Sequence, residues 1–349
     1  MQNEPRYNRP SDDGYEPRMR SRLPRTILIV FLALIVLSTG WQLLTGWNNS
    51  DTIELINFDP ANMNLNINLS SNGVYLTTHR GSDVRVTYTP PRFGNFTVPT
   101  YEFSRDSLDI IEDQSFQAWG LFNIININTG GLLTVYVPEN MEGFSELSIR
   151  TSSGRVEITG SRGLVLGDRV SLRASSGRIT ARDFSAGSLD IDASSGRIDL
   201  DTVNVTGGNL TARASSGRVE LNEIYVPHGG LTARTSSGSV TADNLSVAEN
   251  LSLTSTSGRV SAENTNAASN FSMNATSGSV TASGLNVTGD LSMVSSSGRI
   301  ALENSDVQGR LEARATSGSV TLNNVRADRN RTYLRTSSGR ITVDGQRQR

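Results

Sequence analysis

Apolar and polar positions alternate along the chain in a unit that recurs ten times, each time around a Ser-Gly step. Two residues after each glycine stands Val or Ile, and five residues before it stands another apolar residue. This period-two alternation is typical of strands that bury one face, and a fixed period of about 20 residues indicates a solenoid. The glycines of the step are Gly154, Gly177, Gly196, Gly217, Gly238, Gly258, Gly278, Gly298, Gly318 and Gly339.

Each unit has three clusters of turn-forming residues, so each coil of the solenoid is predicted to contain three short strands. The first corner is the Ser-Gly step, the second falls in stretches such as AEN (262–264), and the third in stretches such as TGG (206–208). We expect Gly and Asn there because they tolerate left-handed backbone angles, and we expect the serine before each glycine to satisfy corner backbone groups. The sequence therefore predicts an all-β fold, a parallel β-helix (β-solenoid) with about 20 residues per coil, over residues 141–345.

Residues 47–140 also alternate, in stretches such as VRVTY (84–88) and LTVYV (133–137), but prolines interrupt the runs. We interpret this segment as irregular N-terminal β coils that cap the solenoid, since repeat arrays need atypical end units. A separate β-sandwich is the alternative.

An apolar run near the start predicts a membrane anchor. Ile27–Leu37 is uninterrupted, and residues 26–46 carry no charge, which is long enough for a helix to cross a bilayer of about 30 Å. Four arginines precede the run, Arg18, Arg20, Arg22 and Arg25, so the positive-inside rule places the N-terminus in the cytoplasm. Residues 1–25 are then a disordered cytoplasmic tail, and the rest is extracytoplasmic. A cleaved signal peptide is the alternative, although no convincing cleavage site follows the run.

Every basic residue of the chain is arginine, and one set follows the corner glycine directly. We expect this set to point outward and to form a stripe that binds an anionic envelope polymer or a surface protein, since guanidinium groups pair bidentately with phosphate and carboxylate. The alternative is that the arginines pair with nearby acids such as Glu157, Asp199 and Glu220. The set consists of Arg155, Arg178, Arg197, Arg218, Arg259, Arg299 and Arg340.

A second set of arginines stands four residues before the glycine, and Asp192 interrupts it. These residues flank the same corner, and we expect them to widen the stripe. Nucleic acid is not an expected partner, because aromatic residues do not flank the stripe and the location is outside the cell. The second set consists of Arg150, Arg173, Arg213, Arg234, Arg314 and Arg335.

Candidate catalytic chemistry is sparse. Asp190, Asp192, Asp199 and Asp201 form the densest carboxylate cluster, which would suit Ca²⁺ binding or acid/base chemistry if the strands brought them together. The alternative is ordinary alternation of polar residues on a solvated strand. There is no cysteine, and His79 and His228 are far apart in the sequence. We expect no catalytic residues, no cofactor, no metal and no enzymatic activity; a polysaccharide-active β-helix enzyme is the remaining enzymatic alternative.

The stretches LTVYVPEN (133–140) and ELSIRTSSGRVEI (146–158), followed by the recurring coils, resemble a bacterial family of putative adhesin-like β-strand-repeat proteins of unknown function. The resemblance covers roughly residues 50–345. It implies an envelope-associated β-solenoid and no established catalytic residues. Together these observations predict a single-pass, adhesin-like surface scaffold. Head-to-tail self-assembly is the alternative, because the last coil is cut short after Ile341–Val343 without a capping helix.

Overall fold

The computed structural model describes residues 52–60, 63–91, 97–112 and 130–348. The predicted cytoplasmic tail (1–25) and membrane anchor (26–46) lie outside these ranges. Within them, no helix has the length and apolar character needed to cross a membrane.

The described residues form one sheet of thirty strands and a single-turn 3-10 helix, Arg329–Arg331. The strands that precede the repeats are β1 (Ile53–Phe58), β2 (Asn64–Leu69), β3 (Gly73–His79), β4 (Val84–Thr89), β5 (Thr100–Phe103), β6 (Ser107–Ile111) and β7 (Leu132–Pro138). The strands of the first repeats are β8 (Phe144–Thr151), β9 (Val156–Thr159), β10 (Val165–Ala174), β11 (Ile179–Ala193), β12 (Ile198–Val205), β13 (Leu210–Ala214), β14 (Val219–Val226), β15 (Leu231–Thr235), β16 (Val240–Asp243) and β17 (Ser246–Val247). The remaining strands are β18 (Leu251–Ser255), β19 (Val260–Glu263), β20 (Asn266–Ala267), β21 (Phe271–Ala275), β22 (Val280–Ser283), β23 (Asn286–Val287), β24 (Leu291–Ser295), β25 (Ile300–Val307), β26 (Leu311–Ala315), β27 (Val320–Ala327), β28 (Thr332–Thr336), β29 (Ile341–Val343) and β30 (Gln346–Arg347).

The predicted all-β parallel β-solenoid is confirmed, with about ten turns of about 21 residues each. Strands that precede the Ser-Gly corner pair in parallel from coil to coil and form a first stack, for example β13–β15–β18–β21. Strands that follow the corner form a second stack, for example β14–β16–β19–β22. Short strands after the second corner form a third stack, for example β17–β20–β23.

The core is a set of inward rows in which equivalent side chains of successive coils lie above one another. Leu210, Leu231 and Leu251 are in register in the first stack, and each is at most 1% exposed. Val219 and Val240 are likewise in register in the second stack, and each is 0% exposed. Full burial of a Val or Leu side chain stabilises a fold by about 1.5–3 kcal/mol, so each coil depends on its neighbours for its core.

The corner glycines are required for a different reason from the expected one. None of the ten glycines of the Ser-Gly step has a positive φ. Instead, a Cβ atom at Gly177 would overlap the carbonyl oxygen of Gly154, and one at Gly217 would overlap that of Gly196. The glycines of successive coils therefore stack directly, and the absence of a side chain allows the coils to approach at this corner.

In five of the ten coils the residue three before the glycine, not the serine directly before it, supplies a hydroxyl group to this corner. The Ser255 hydroxyl accepts a hydrogen bond from the Gly258 N–H (2.8 Å) and donates one to the Gly238 carbonyl of the preceding coil (2.7 Å). Thr235 and Ser295 make the same two bonds. The serines directly before the glycines are all exposed. A small hydroxyl side chain thus links two coils through their backbones.

The second corner is a single residue with left-handed backbone angles. The expected residues Asn264, Asn304 and Asn324 have φ of 47°, 47° and 51°. Thr202 (φ 53°) and Glu223 (φ 51°) occupy the same position in earlier coils, where the sequence gives no Gly or Asn signal. A left-handed conformation costs an ordinary L-residue roughly 1–2 kcal/mol, so these two coils carry local strain.

The coils before residue 144 are stacked out of chain order. In the first stack β2 lies between β8 and β6, and in the second stack β3 lies between β9 and β7, all in parallel. β6 and β7 are therefore the outermost of these parallel strands, although they follow β2 and β3 in sequence. Beyond it the pairing becomes antiparallel, with β5 on β6, and with β4 on β7 and β1 on β4.

Glu112 binds the corner between β2 and β3. Its carboxylate, on a residue only 8% exposed, accepts bonds from the N–H groups of Ser70 (2.7 Å) and Ser71 (3.1 Å), and from the Ser71 hydroxyl (2.9 Å). Burial and the nearby Glu112 charge raise the pKa of Tyr88 from 10.0 to about 12, and its hydroxyl donates to Asn72 Oδ1 (3.3 Å). The Glu112 carboxylate thus links the chain after β6 to the corner between β2 and β3.

Candidate binding surface

The seven arginines that follow the corner glycines form one line, which we call the Arg ladder (Arg155, Arg178, Arg197, Arg218, Arg259, Arg299 and Arg340). Each precedes the first residue of a second-stack strand, and these strands are in register from coil to coil. The backbone carbonyl of each ladder residue accepts a hydrogen bond from the preceding coil, from the N–H of the residue that follows the corner arginine or its equivalent there. For example, the Ile179 N–H donates to the Arg197 carbonyl at 2.9 Å. Six of the seven residues are exposed, and Arg197 is intermediate. Backbone hydrogen bonds therefore fix the position of the Cα atom from which each arginine side chain extends.

The ladder has two zones that differ in spacing. In the crowded zone, four successive coils carry Arg155, Arg178, Arg197 and Arg218. In the alternating zone, Arg259, Arg299 and Arg340 are separated by the serines Ser239, Ser279 and Ser319. Strands of neighbouring coils lie about 4.8 Å apart, so the arginines follow one another at about that distance in the first zone and at about twice that distance in the second.

Acidic residues compensate the crowded zone. Arg218 binds Glu220 at 2.8 Å, while Arg155–Glu157 and Arg197–Asp199 are looser pairs at 3.9 Å. These are the pairs that the sequence offered as the alternative to ligand binding. All are exposed or partly exposed, and such pairs contribute about 0–1 kcal/mol to stability. No acidic group of the described chain lies within 4.0 Å of the guanidinium groups of the alternating zone, Arg259, Arg299 and Arg340.

Asp199 and Glu220 are neighbours in register and interact as a carboxyl pair. Burial raises the pKa of Asp199, and a hydrogen bond with the Glu220 carboxyl group raises it further. Burial acts upward on Glu220 as well, but hydrogen bonds from Arg218 and Asp199 and the charges of Arg197 and Arg218 leave the pKa of Glu220 below its ordinary value. The pKa values of the two carboxyl groups therefore shift in opposite directions.

The second arginine set lies on the first-stack side of the same corner. Arg150, Arg173, Asp192, Arg213 and Arg234 follow one another in register, so Asp192 does interrupt the row. The Asp190 carboxylate bridges Arg173 (3.5 Å) and Arg213 (3.1 Å) across Asp192. Farther along, Glu312 pairs with both Arg314 and Arg310. Three of the six arginines of this row are thus ion-paired, Arg173, Arg213 and Arg314.

Between the two arginine rows runs a double line of exposed hydroxyl groups. Every coil has Ser or Thr at both positions before the corner glycine, from Ser152 and Ser153 to Ser337 and Ser338, and all are exposed. For the second of these positions the sequence predicted hydrogen bonds to backbone groups, and this is not its role. The first position shows an equally regular pattern in the sequence, which would have indicated the double line. A shallow groove of about 470 Å³ runs beside this line over four coils, where Arg178, Arg197 and Arg218 and the corner serines line it.

The four aspartates of the carboxylate cluster lie on two sides of the Ser-Gly corner. Asp190 and Asp192 belong to the first-stack part of β11, whereas Asp199 and Asp201 belong to β12 in the second stack. Asp201 accepts a hydrogen bond from Asn222 (2.6 Å), and Asp190 is engaged by arginine. In the part of the chain that the structure describes, no three His, Asp or Glu side chains converge as metal ligands.

His79 has a local role. Its Nδ1 accepts a hydrogen bond from the Gly81 N–H (3.1 Å), and its Nε2 lies 2.7 Å from the Asp83 carbonyl, so the ring closes the turn after β3. His228 lies at a third-stack corner, as the PHGG stretch indicates. The structure does not bring the two histidines to one site.

The sequence matches the Toastrack DUF4097 family twice, over residues 62–224 and over residues 204–349. The two matches overlap and together cover both the out-of-order N-terminal coils and the regular repeats. A comparison with curated proteins found no significant match. The chain therefore belongs to the Toastrack DUF4097 family, a family of uncharacterised domains.

Proposed function

We propose that this Toastrack protein is a non-enzymatic, adhesin-like scaffold that is anchored in the cell membrane by residues 26–46 and binds an anionic envelope polymer outside the cell through the Arg ladder. The single observation that carries the proposal is the Arg ladder itself, seven guanidinium groups at one position of ten coils in register. A linear repeat of cations suits a ligand that is itself a linear repeat of anions.

The alternating zone is the best-suited part of the ladder. Its three arginines form no ion pair within the described ranges, and the intervening serines reduce repulsion between like charges. The exposed hydroxyl line beside it adds hydrogen-bond donors for phosphate or carboxylate oxygens. In the crowded zone a polymer must compete with Glu157, Asp199 and Glu220 for the same guanidinium groups.

The membrane part of the proposal rests on the sequence. The uncharged run of residues 26–46 and the four preceding arginines support a single-pass anchor with the N-terminus in the cytoplasm. The non-enzymatic part is supported by the regularity of the coils between Gly196 and Gly339, which vary in length by one residue and leave no long loops to form the walls of a cleft.

The experiment measures retention of the detergent-solubilised full-length chain on immobilised polyphosphate, on polygalacturonate and on neutral dextran, at low and moderate salt. The ladder variant carries Arg259→Ser, Arg299→Ser and Arg340→Ser, which are substitutions that the chain itself uses at Ser239, Ser279 and Ser319. The charge-matched control carries Arg105→Ser, Arg162→Ser and Arg326→Ser, which are exposed arginines away from the corner.

We expect the parent and the control to be retained on the anionic matrices, and the ladder variant to elute at clearly lower salt, since exposed charges are screened within about 10 Å at 0.1 M salt. Stronger retention on polyphosphate than on polygalacturonate would identify phosphate as the preferred group. Equal elution of the ladder variant and the control would mean that general charge, not the ladder, binds the polymer. No retention of the parent on either anionic matrix would refute the proposal.

A further inference from the structure

The three stacks end at different levels at the C-terminal end of the solenoid. The first stack ends with β28, which within the described chain pairs only with β26. The second stack extends one strand further, because the Asp344–Gly345 turn folds β30 back onto β29 in antiparallel pairing. The third stack ends one coil earlier, at Val325–Ala327 in the second half of β27. At this end the second stack thus has one strand more than the first stack, and the third stack has one strand fewer.

The apolar side chains at this end are incompletely covered. Val325, Leu334, Ile341 and Val343 are only partly buried, although they pack against the core. Leu311, the first inward residue of β26 one coil back, is fully buried. Tyr333, on the outer face of β28, is 54% exposed, and the Arg310 guanidinium lies 4.8 Å from its ring centre. Within the described residues, β28 therefore has no strand paired to its outer edge, and the core at this level is only partly covered.

We propose that this end docks against the same end of a second copy, about a two-fold axis that lies between the two β28 strands, level with Leu334 and perpendicular to the solenoid axis. Such an axis pairs the first stack with itself and exchanges the second and third stacks. The extra strand β30 of one copy then meets the short third stack of the other copy. The two differences cancel, so all three stacks of the dimer continue from one copy into the next. A two-fold interface must be self-complementary in this way.

The sequence of β28 fits the same axis. In an antiparallel pair of two β28 strands centred on Leu334, Thr332 lies opposite Thr336 and Tyr333 lies opposite Arg335. This register keeps inward residues opposite inward residues, whereas a shift by one residue would place each inward side chain opposite an outward one. It also places an arginine beside an exposed aromatic ring, a favourable cation–π arrangement. Continuation of the core and of the backbone pairing would cover the open end.

Cysteine cross-linking tests this register directly, because the chain has no cysteine of its own. Residues opposite one another in antiparallel strands have Cα atoms about 4.5–5.5 Å apart, which is within the range of a disulfide. In the full-length chain in detergent, Leu334→Cys is expected to form a disulfide-linked dimer on mild oxidation. The Tyr333→Cys variant and the Arg335→Cys variant are each expected to cross-link only weakly on their own. A mixture of the two is expected to form the 333–335 disulfide. Ser292→Cys, in the same outward row two coils earlier, is the control and should remain uncross-linked.

Light scattering of the unmodified chain gives a second, independent measurement. A dimer together with the mixed 333–335 cross-link would support the two-fold contact. A chain that is monomeric at all accessible concentrations would overturn the proposal, and so would a dimer in which neither the Leu334→Cys variant nor the mixture cross-links. Open-ended growth with concentration, without the 334–334 link, would overturn it in favour of head-to-tail assembly.

Discussion

At the scale of single residues, direct stacking of the corner glycines is the strictest requirement of the fold. We predict that Gly217→Ala destabilises the protein by about 1–3 kcal/mol or more, because the new Cβ would overlap the backbone of Gly196 and the coils would have to separate. Chemical or thermal unfolding followed by circular dichroism measures the change.

The matched control is Gly207→Ala, at a third corner. A Cβ there would meet its nearest neighbour, the Gly187 carbonyl oxygen, at an ordinary 3.5 Å, and the residue has no positive φ. We expect a stability within about 0.5 kcal/mol of the parent. Equal effects of the two substitutions would contradict the stacking explanation.

The carboxyl pair beside the crowded zone leads to a prediction about pH. Because the pKa of Asp199 is raised above 3.8, its ionised form opposes folding, and this cost appears as the pH rises through the raised pKa. Glu220, with a lowered pKa, contributes in the opposite sense. We predict that Asp199→Asn increases the melting temperature at pH 7 and that the gain disappears near pH 3, where Asp199 is already protonated.

The control for this prediction is Glu157→Gln. Glu157 occupies the same row of the second stack but lies between Tyr75 and Thr180, so it has no acidic neighbour in register. We expect it to show no gain at pH 7. A similar gain in both variants would show that removal of any negative charge is sufficient.

At this scale the sequence predicted where the corner residues lie better than it predicted why those residues are required. The spacing identified every corner glycine and the acid that pairs with Arg218. It did not reveal that these glycines allow neighbouring coils to come into close contact, because that contact joins residues some 20 positions apart. It also gave no sign that Thr202 and Glu223 would adopt left-handed angles, since packing of the coils on both sides fixes their backbone against their own preference.

At the scale of elements, the N-terminal end depends on one side chain that joins two chain segments. Glu112 follows β6 and binds the N–H groups of the Ser70–Ser71 corner after β2. We predict that Glu112→Gln destabilises this end by about 1.5–3 kcal/mol, because the amide loses the charge that strengthens these bonds and brings N–H donors near other donors. Hydrogen exchange of the β2, β3 and β6 amides measures the change.

Asp109→Asn serves as the control within the same strand. Asp109 also accepts a side-chain hydrogen bond, from Asn66 (2.8 Å), but the residue is more exposed than Glu112. We expect exchange in β2 and β3 to stay close to that of the parent. Faster exchange throughout the regular coils, and not at the N-terminal end alone, would contradict a local capping role for Glu112.

The order of these first coils could not be read from the sequence. The alternation in residues 64–79 and 107–138 predicts strands, but alternation is the same whether a coil stacks on the preceding or the following segment of the chain. The insertion of β2 and β3 between the β6–β7 segment and β8–β9 is a choice of tertiary pairing. The regular repeats had no such ambiguity, because the short corners that join their strands place each coil directly on the coil that precedes it in the chain.

At the scale of the whole molecule, the proposed membrane anchor leads to a direct prediction. We expect the full-length chain to remain in the membrane pellet after a high-salt or alkaline wash, and a chain that lacks residues 26–46 to be released. An N-terminal tag should be protected from protease added outside the cell, whereas the solenoid should be accessible. Loss of the tag from the mature protein, with the solenoid in the soluble fraction, would instead indicate a cleaved signal peptide.

The four successive coils between Gly238 and Gly318 have the same length of twenty residues. Because each coil presents the same corners to the coil on either side, one of them can be removed or duplicated as a block without creating a new kind of contact. A gene of this design can change in steps of one coil through unequal recombination. Each step would alter the reach of the molecule by about 4.8 Å and leave both specialised ends unchanged.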